Sequence, residues 1–189
     1  AGWRDGVPAG ADLITNDDDG GGGMAASHLL GLGHTRIGHL SGSGGAAAHR
    51  RAGFRGRLQE SGVEPLIGGE AGGTSEEDGY NSACWLLDHH PDITAIFAAN
   101  DTMALGALGA IKARGLAVPA DISLIGYDNS TLAKSRYLEL TSVDNRSDLV
   151  GVDVAKALLA RIQDSAVGPQ RKLIEPALIV RGTTARPGF

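Results

Sequence analysis

Apolar residues along this chain recur with two periods that take turns. Short apolar runs at 36–41 (RIGHLS), 93–99 (ITAIFAA), 122–127 (ISLIGY), 140–143 (LTSV) and 173–180 (LIEPALIV) predict strands, with a weaker one at 64–68 (EPLIG). The stretches between them carry apolar residues at helical spacing instead. A helix over 24–32 ends at Gly33, and one over 46–61 places Phe54 and Leu58 on one face before Gly62. A third, over 75–89, opens on the capping pattern Ser75-Glu76-Glu77-Asp78 and is expected to bury Tyr80, Cys84 and Leu87. Helix 102–114 aligns Met103, Ala107, Leu108 and Ile111, then stops at Gly115 with Pro119 beyond. The last, 148–163, carries Leu149, Val152, Ala155, Leu158, Leu159 and Ile162 on one face. Strands alternating with helices in this way predict an α/β fold with a doubly wound parallel sheet.

In such a sheet, ligands bind outside the carboxyl ends of the strands, so the residues that follow each strand carry the functional signal. Ser41-Gly42-Ser43-Gly44-Gly45 follows RIGHL and leads into a helix bearing Arg50. Asn100-Asp101 follows TAIFAA, and Asp128-Asn129-Ser130 follows ISLIGY. At Asn100-Asp101 a buried strand runs straight into an amide and a carboxylate. Asp101 is placed to cap the next helix by accepting the N–H groups of Met103 and Ala104, which leaves the Asn100 amide facing the sheet's edge. A carboxylate, an amide and a guanidinium thus converge beside glycines that let a ligand approach the backbone. That set suits a small neutral molecule with many hydroxyls: Asp accepts paired hydroxyl bonds, Arg donates a planar fork, and Asn does both.

Composition narrows the choice. With 189 residues and 42% hydrophobic content, the chain can build one large domain or two small lobes. A formal charge of −5 offers no sequence-independent grip on nucleic acid. The single cysteine, Cys84, excludes an internal disulfide and fits a reducing cytoplasm. Nothing reads as a signal peptide, and no apolar run is long enough to span a bilayer. No metal or other cofactor is expected, because His34 and His39 lack an acidic third ligand and His89-His90 simply precede Pro91 at a helix end.

Three stretches go further: "DLITNDD...AASHLLGLGHTRIGHLSG...RRAGFRGRL", "AIFAANDTMALGALGAIKARGLAVPADISLIGYDN" and "LTSVDN...VGVDVAKALLARI". They resemble, in order and from about residue 12 to 184, the effector-binding core of LacI/GalR-type transcription regulators. The resemblance implies a periplasmic-binding-protein-like fold of type I and a regulator rather than an enzyme. It also implies a cytoplasmic homodimer, a sugar-like effector held between two lobes, and operator DNA read by an N-terminal headpiece that lies outside this sequence. Residue by residue, Asp17 matches the family's Asp-Asn pair at the first hinge, and Arg50 opens the Arg-x-x-Gly-Phe segment. Asn100 matches the Asn of Asn-Asp, Asp128 follows Gly-Tyr, and Asn145 stands at the second hinge crossing. Two departures stand out: Asp18 replaces the usual Asn, and the loop from Ala71 to Ser75 carries no aromatic to stack on a ligand.

By family topology, residues 1–17 close the N-terminal lobe and enter the first hinge, while 18–143 form the C-terminal lobe. Residues 144–170 hold a hinge and a helix of the N-terminal lobe, and 171–189 return to the C-terminal lobe. The chain is then mostly one lobe, and helix 148–163 is expected to show an apolar face without its usual cover. Two rival readings remain. Gly42-Ser43-Gly44-Gly45-Ala46-Ala47 is a Gly-x-Gly-x-x-Ala string between strand and helix, with Glu70 as a possible ribose partner, as an NAD(P)-dependent oxidoreductase requires. A periplasmic sugar-binding protein of a transporter would share the fold, and the SLIGYDN stretch at 123–129 favours the regulator over it.

Overall fold

The computed structural model describes residues 7–8, 10–68 and 72–188. Its elements run β1 (Leu13–Asn16), α1 (Asp18–Leu32), β2 (Ile37–Leu40), α2 (Gly45–Glu60), β3 (Leu66–Gly68), α3 (Glu76–His89), β4 (Ala95–Ala98) and α4 (Asp101–Ala113). Then follow β5 (Ser123–Tyr127), β6 (Thr141–Asp144), α5 (Ser147–Gln163), β7 (Arg171–Ile174) and β8 (Ala177–Ile179). Six strands form one sheet in the order β3-β2-β4-β5-β6-β8, parallel throughout except that β8 runs antiparallel to β6. The chain enters this sheet at β2, steps out to β3 at one edge and then winds back through β4, β5 and β6 toward the other, which is the doubly wound topology.

Strand alternation feeds two separate cores. Ala95, Phe97, Ile125 and Tyr127 point to one face, where they meet Ala25, Ala26 and Leu29 of α1 and Phe54 and Leu58 of α2. Ile96, Ala98 and Leu124 point to the other, against Ala83 and Leu86 of α3 and Met103, Ala107 and Ile111 of α4. On each face two helices meet closely through glycine. A Cβ on Gly22 would lie 2.0 Å from the Arg50 carbonyl oxygen, and one on Gly53 1.8 Å from that of Asp19. On the opposite face a Cβ on Gly79 would reach the Met103 carbonyl, and one on Gly106 that of Glu76.

Three expectations change. Helix α1 begins at Asp18 rather than near residue 24, because Gly20 to Gly23 are helical. Tertiary contact overrides their low propensity: Gly21 packs under Tyr127 and Gly22 under α2. The run 173–180 is two strands, not one. Pro176 separates β7, which pairs with β1 in a second, two-stranded parallel sheet, from β8 on the main sheet. Tyr80 is 39% exposed instead of buried, since the α3 positions facing the sheet are Ala83, Leu86 and Leu87. Helix α5 and β7 carry most of the exposed apolar surface, as the pattern at 148–163 led one to expect. Among the described residues, no helix is long and apolar enough to cross a membrane.

Candidate ligand-binding site

Strands β2, β4 and β5 are neighbours in the sheet, so the three polar segments at their carboxyl ends lie side by side. Arg50 is the centre of the cluster. Its Nε donates to Asp18 Oδ1 at 2.9 Å, one terminal nitrogen donates to the Ala99 carbonyl at 2.7 Å, and the other lies 3.2 Å from Asp128 Oδ1. The guanidinium plane sits 3.8 Å over the Tyr127 ring. Tyr127 belongs there by alternation: it is the last residue of β5 on the α1/α2 face.

Asp128 begins the loop after β5 with φ 96°, and Asn129 follows at φ 48°. Two consecutive left-handed residues without glycine cost strain, of order 1–3 kcal/mol each, and persist only where neighbours fix them. The neighbours are present. Asp128 N–H donates to the Val143 carbonyl, Asn129 N–H to the Ser142 hydroxyl, and Asn145 Nδ2 donates to Asp128 Oδ1 at 2.8 Å. Burial pushes the Asp128 carboxyl above its ordinary range, against the pull of Arg50; the charges of Asp101 and Asp18 add to the rise. The side chain still keeps 38% of its surface open at the edge of the sheet. Asn145 has a second bond: its Oδ1 accepts from Ser147 N–H at the start of α5.

The helix cap expected of Asp101 is supplied by Asn100. Asn100 is the N-cap of α4, its Oδ1 accepting from Met103 N–H at 2.7 Å while its Nδ2 donates to the Thr74 carbonyl. Asp101 is buried within the first turn. Its carboxylate accepts the Ser142 hydroxyl at 2.6 Å and the Ser130 N–H at 2.7 Å, tying α4 to β6 and to the loop after β5. Local capping rules put both residues within reach of the helix end; contacts from distant strands decide between them.

Of the five residues singled out from the sequence, Arg50, Asp128 and Asn145 form one bonded chain. Asn100 stands beside it, next to the carbonyl that Arg50 holds, and Asp17 caps α1 by accepting from Gly20 N–H. Asp18 and Tyr127 are additions. The signal for Asp18 was the Arg itself, because a guanidinium turned inward needs a carboxylate within the fold. Among the described residues, no group of three His, Cys, Asp or Glu side chains could hold a metal ion. His34 is bonded to Thr94 and the Ala185 carbonyl, and His39 stacks on Phe97 with the Phe54 ring tilted against both. The glycine string at 42–47 does lie at the turn from β2 into α2, where Gly44 is the N-cap at φ 91°. Its proposed partner Glu70 lies outside the described residues, as does Ala71 of the loop that lacks an aromatic.

Residues 26–184 match the family described as Periplasmic binding protein-like domain. A solved LacI-family transcriptional regulatory protein from Corynebacterium glutamicum is 41% identical and superimposes with a TM-score of 0.87, covering 96% of this chain and 73% of that one. This chain belongs to the LacI family. Another LacI-family relative, the HTH-type transcriptional regulator CelR from Thermobifida fusca, is 36% identical over 93% of this chain and 53% of its own length. A solved complex of the transcriptional regulator CelR with cellobiose is 34% identical, with a TM-score of 0.86 over 96% of this chain and 57% of that one. The chain thus spans about half the length of the curated relatives it matches. The resemblance carried by the three motif stretches holds over nearly the whole chain, and these relatives are transcriptional regulators.

Proposed function

We propose that this chain is the effector-sensing part of a LacI-family transcriptional regulator, and that its effector is a neutral sugar or polyol. The observation that carries this is the bonded chain Asp18–Arg50–Asp128–Asn145 along the carboxyl edge of the sheet. Asp128 and Asn100 offer acceptors and donors for hydroxyl groups there, and a LacI-family neighbour holds cellobiose. Asn145 links the site to the α5 crossing through Ser147, so a ligand on Asp128 has a route to the segment joining the two sheets. In this reading 18–143 and the final strand form one lobe, with 1–17 and 144–170 at the boundary to a second. β7 goes with that boundary, since it pairs with β1. A ligand with contacts on both lobes shifts the population toward closure, and the regulator passes that change across a cytoplasmic homodimer to operator-reading headpieces.

An NMR titration of this chain with sugars, nucleosides and sugar phosphates tests the effector class, because it registers weak as well as tight binding. A neutral sugar should shift the Arg50 Nε–H and Asn145 side-chain signals, and Asp128→Ala should abolish the response. Saturable binding of only a purine or a phosphate ester would sink the proposal.

A further inference from the structure

An arginine in a ligand crevice suggests a receptor for anions, and the surroundings of Arg50 argue against that. Its side chain is only 11% exposed, and its partner Asp18 only 7%. Of its five N–H groups, two are hydrogen-bonded inside the protein, to Asp18 and the Ala99 carbonyl, and the remaining terminal nitrogen is ion-paired with Asp128 at 3.2 Å. Two carboxylates therefore face one guanidinium. Asp101, buried and hydrogen-bonded to Ser130 and Ser142, adds a third carboxylate close to Asp128. Among the described residues, Arg50 is the only cation paired with any of these three.

From this we infer that the crevice carries uncompensated negative charge, and that Asp18 is the positioning and specificity-determining residue that makes it so. Asp18 holds Arg50 down against Tyr127 and cancels its charge, so the group presented to a ligand is the Asp128 carboxylate. The site then rejects phosphorylated and other anionic ligands. It accepts molecules that bring hydrogen-bond donors: hydroxyl groups, or a protonated amine that supplies the missing counter-charge. This inference rests on the sugar-site reading above for its biological meaning, though not for its electrostatics.

Two measurements on the whole chain test it. Carboxyl NMR should place the Asp128 midpoint above the ordinary value of about 3.9. In Asp18→Asn, which keeps an Oδ1 acceptor for Arg50 Nε, it should fall by about one unit through loss of the neighbouring charge. Inorganic phosphate should cause no saturable shift in the unmodified chain, and should bind the Asp18→Asn/Asp128→Asn variant at least about tenfold more tightly. A midpoint at or below the ordinary value in the unmodified chain, or equal phosphate affinity in both proteins, overturns the inference. If Asp18→Asn does not fold, the midpoint in the unmodified chain and the phosphate titration of Asp128→Asn alone still decide it. If no sugar binds but both measurements behave as stated, the effector reading fails and the charge inference stands. If a sugar binds and neither does, the reverse holds.

Discussion

Helices α4 and α5 have similar apolar stripes in sequence, yet α4 is enclosed, as are α1 to α3, and α5 is not. The α1/α2 and α3/α4 pairs close on each other through Gly22, Gly53, Gly79 and Gly106, with backbone nearly touching backbone. On α5 the sole fully buried apolar side chain is Ala157, while Leu158 and Ile162 are 59% and 70% exposed. Its glycine, Gly151, has nothing within 4 Å of a built Cβ. An apolar stripe says only that a face needs burial. Small residues on the same face say that the burial happens within this chain, at close range.

The sharpest way to break that comparison is to fill a contact. Gly53→Ala sets a methyl group against the Asp19 backbone and should cost more than about 3 kcal/mol in denaturant unfolding. Gly56→Ala, on the same helix with open space around it, should instead stabilise by up to about 1 kcal/mol. Equal effects at the two positions would mean that α1 and α2 are not closely packed.

Next in size is the pair at the start of α4. Asp101→Ala strands the Ser142 hydroxyl and the Ser130 N–H in a buried site and should cost about 3 kcal/mol. Asn100→Ala removes one cap and should cost about 1 kcal/mol. A larger loss at Asn100 than at Asp101 would mean that the Asp101 carboxylate does not tie α4 to β6.

Acid should attack the enclosed region first. His39 is fully buried, its Nδ1 bonded to the Phe97 carbonyl, and burial lowers its pKa from 6.5 to about 4. The folded state therefore holds His39 neutral while the unfolded chain takes up a proton. Stability is complete above pH 6.5 and declines as pH falls toward about 4, by about 3 kcal/mol. Burial lowers His28 and His34 as well, so they add to the loss; the raised carboxyl of Asp128 works in the opposite sense. His39→Leu should flatten the pH dependence of unfolding between those limits. An unchanged slope would place the titration elsewhere.

How much of this was legible follows from how far each signal reaches. Strand alternation and helical spacing are local, and they located the sheet, its two faces and the edge where Arg50 and Asp128 meet. The Gly20 to Gly23 run reads locally as a break, and only its contacts with Arg50 and Tyr127 make it helix. Asn100 holds the cap expected of Asp101, because the hydroxyl that draws Asp101 away, on Ser142, is 41 residues distant. Asp18 was seen as a departure from the family's pair, but not as the partner of an arginine 32 residues on. Pairing of β7 with β1 brings residues 158 apart together at Leu13 and Arg171, which no window along the chain contains.

The smallest effect on stability is expected on α5, where it separates packing from mere apolarity. Leu158 and Ile162 face away from the protein's interior, so replacing both by serine removes almost no buried contact. Leu158→Ser/Ile162→Ser should change unfolding free energy by no more than about 0.5 kcal/mol, as surface substitutions do. Its effect should appear instead in association. The exposed leucines and isoleucine of α5, with the exposed Leu173 of β7, are candidates for contact between copies, because apolar surface of this kind promotes association. Sedimentation velocity over a concentration series should show the unmodified chain self-associating and the double variant doing so less. A loss of several kcal/mol in the variant would mean that α5 is packed in solution after all. A concentration-independent monomer in both would mean that this face does not drive contact between copies.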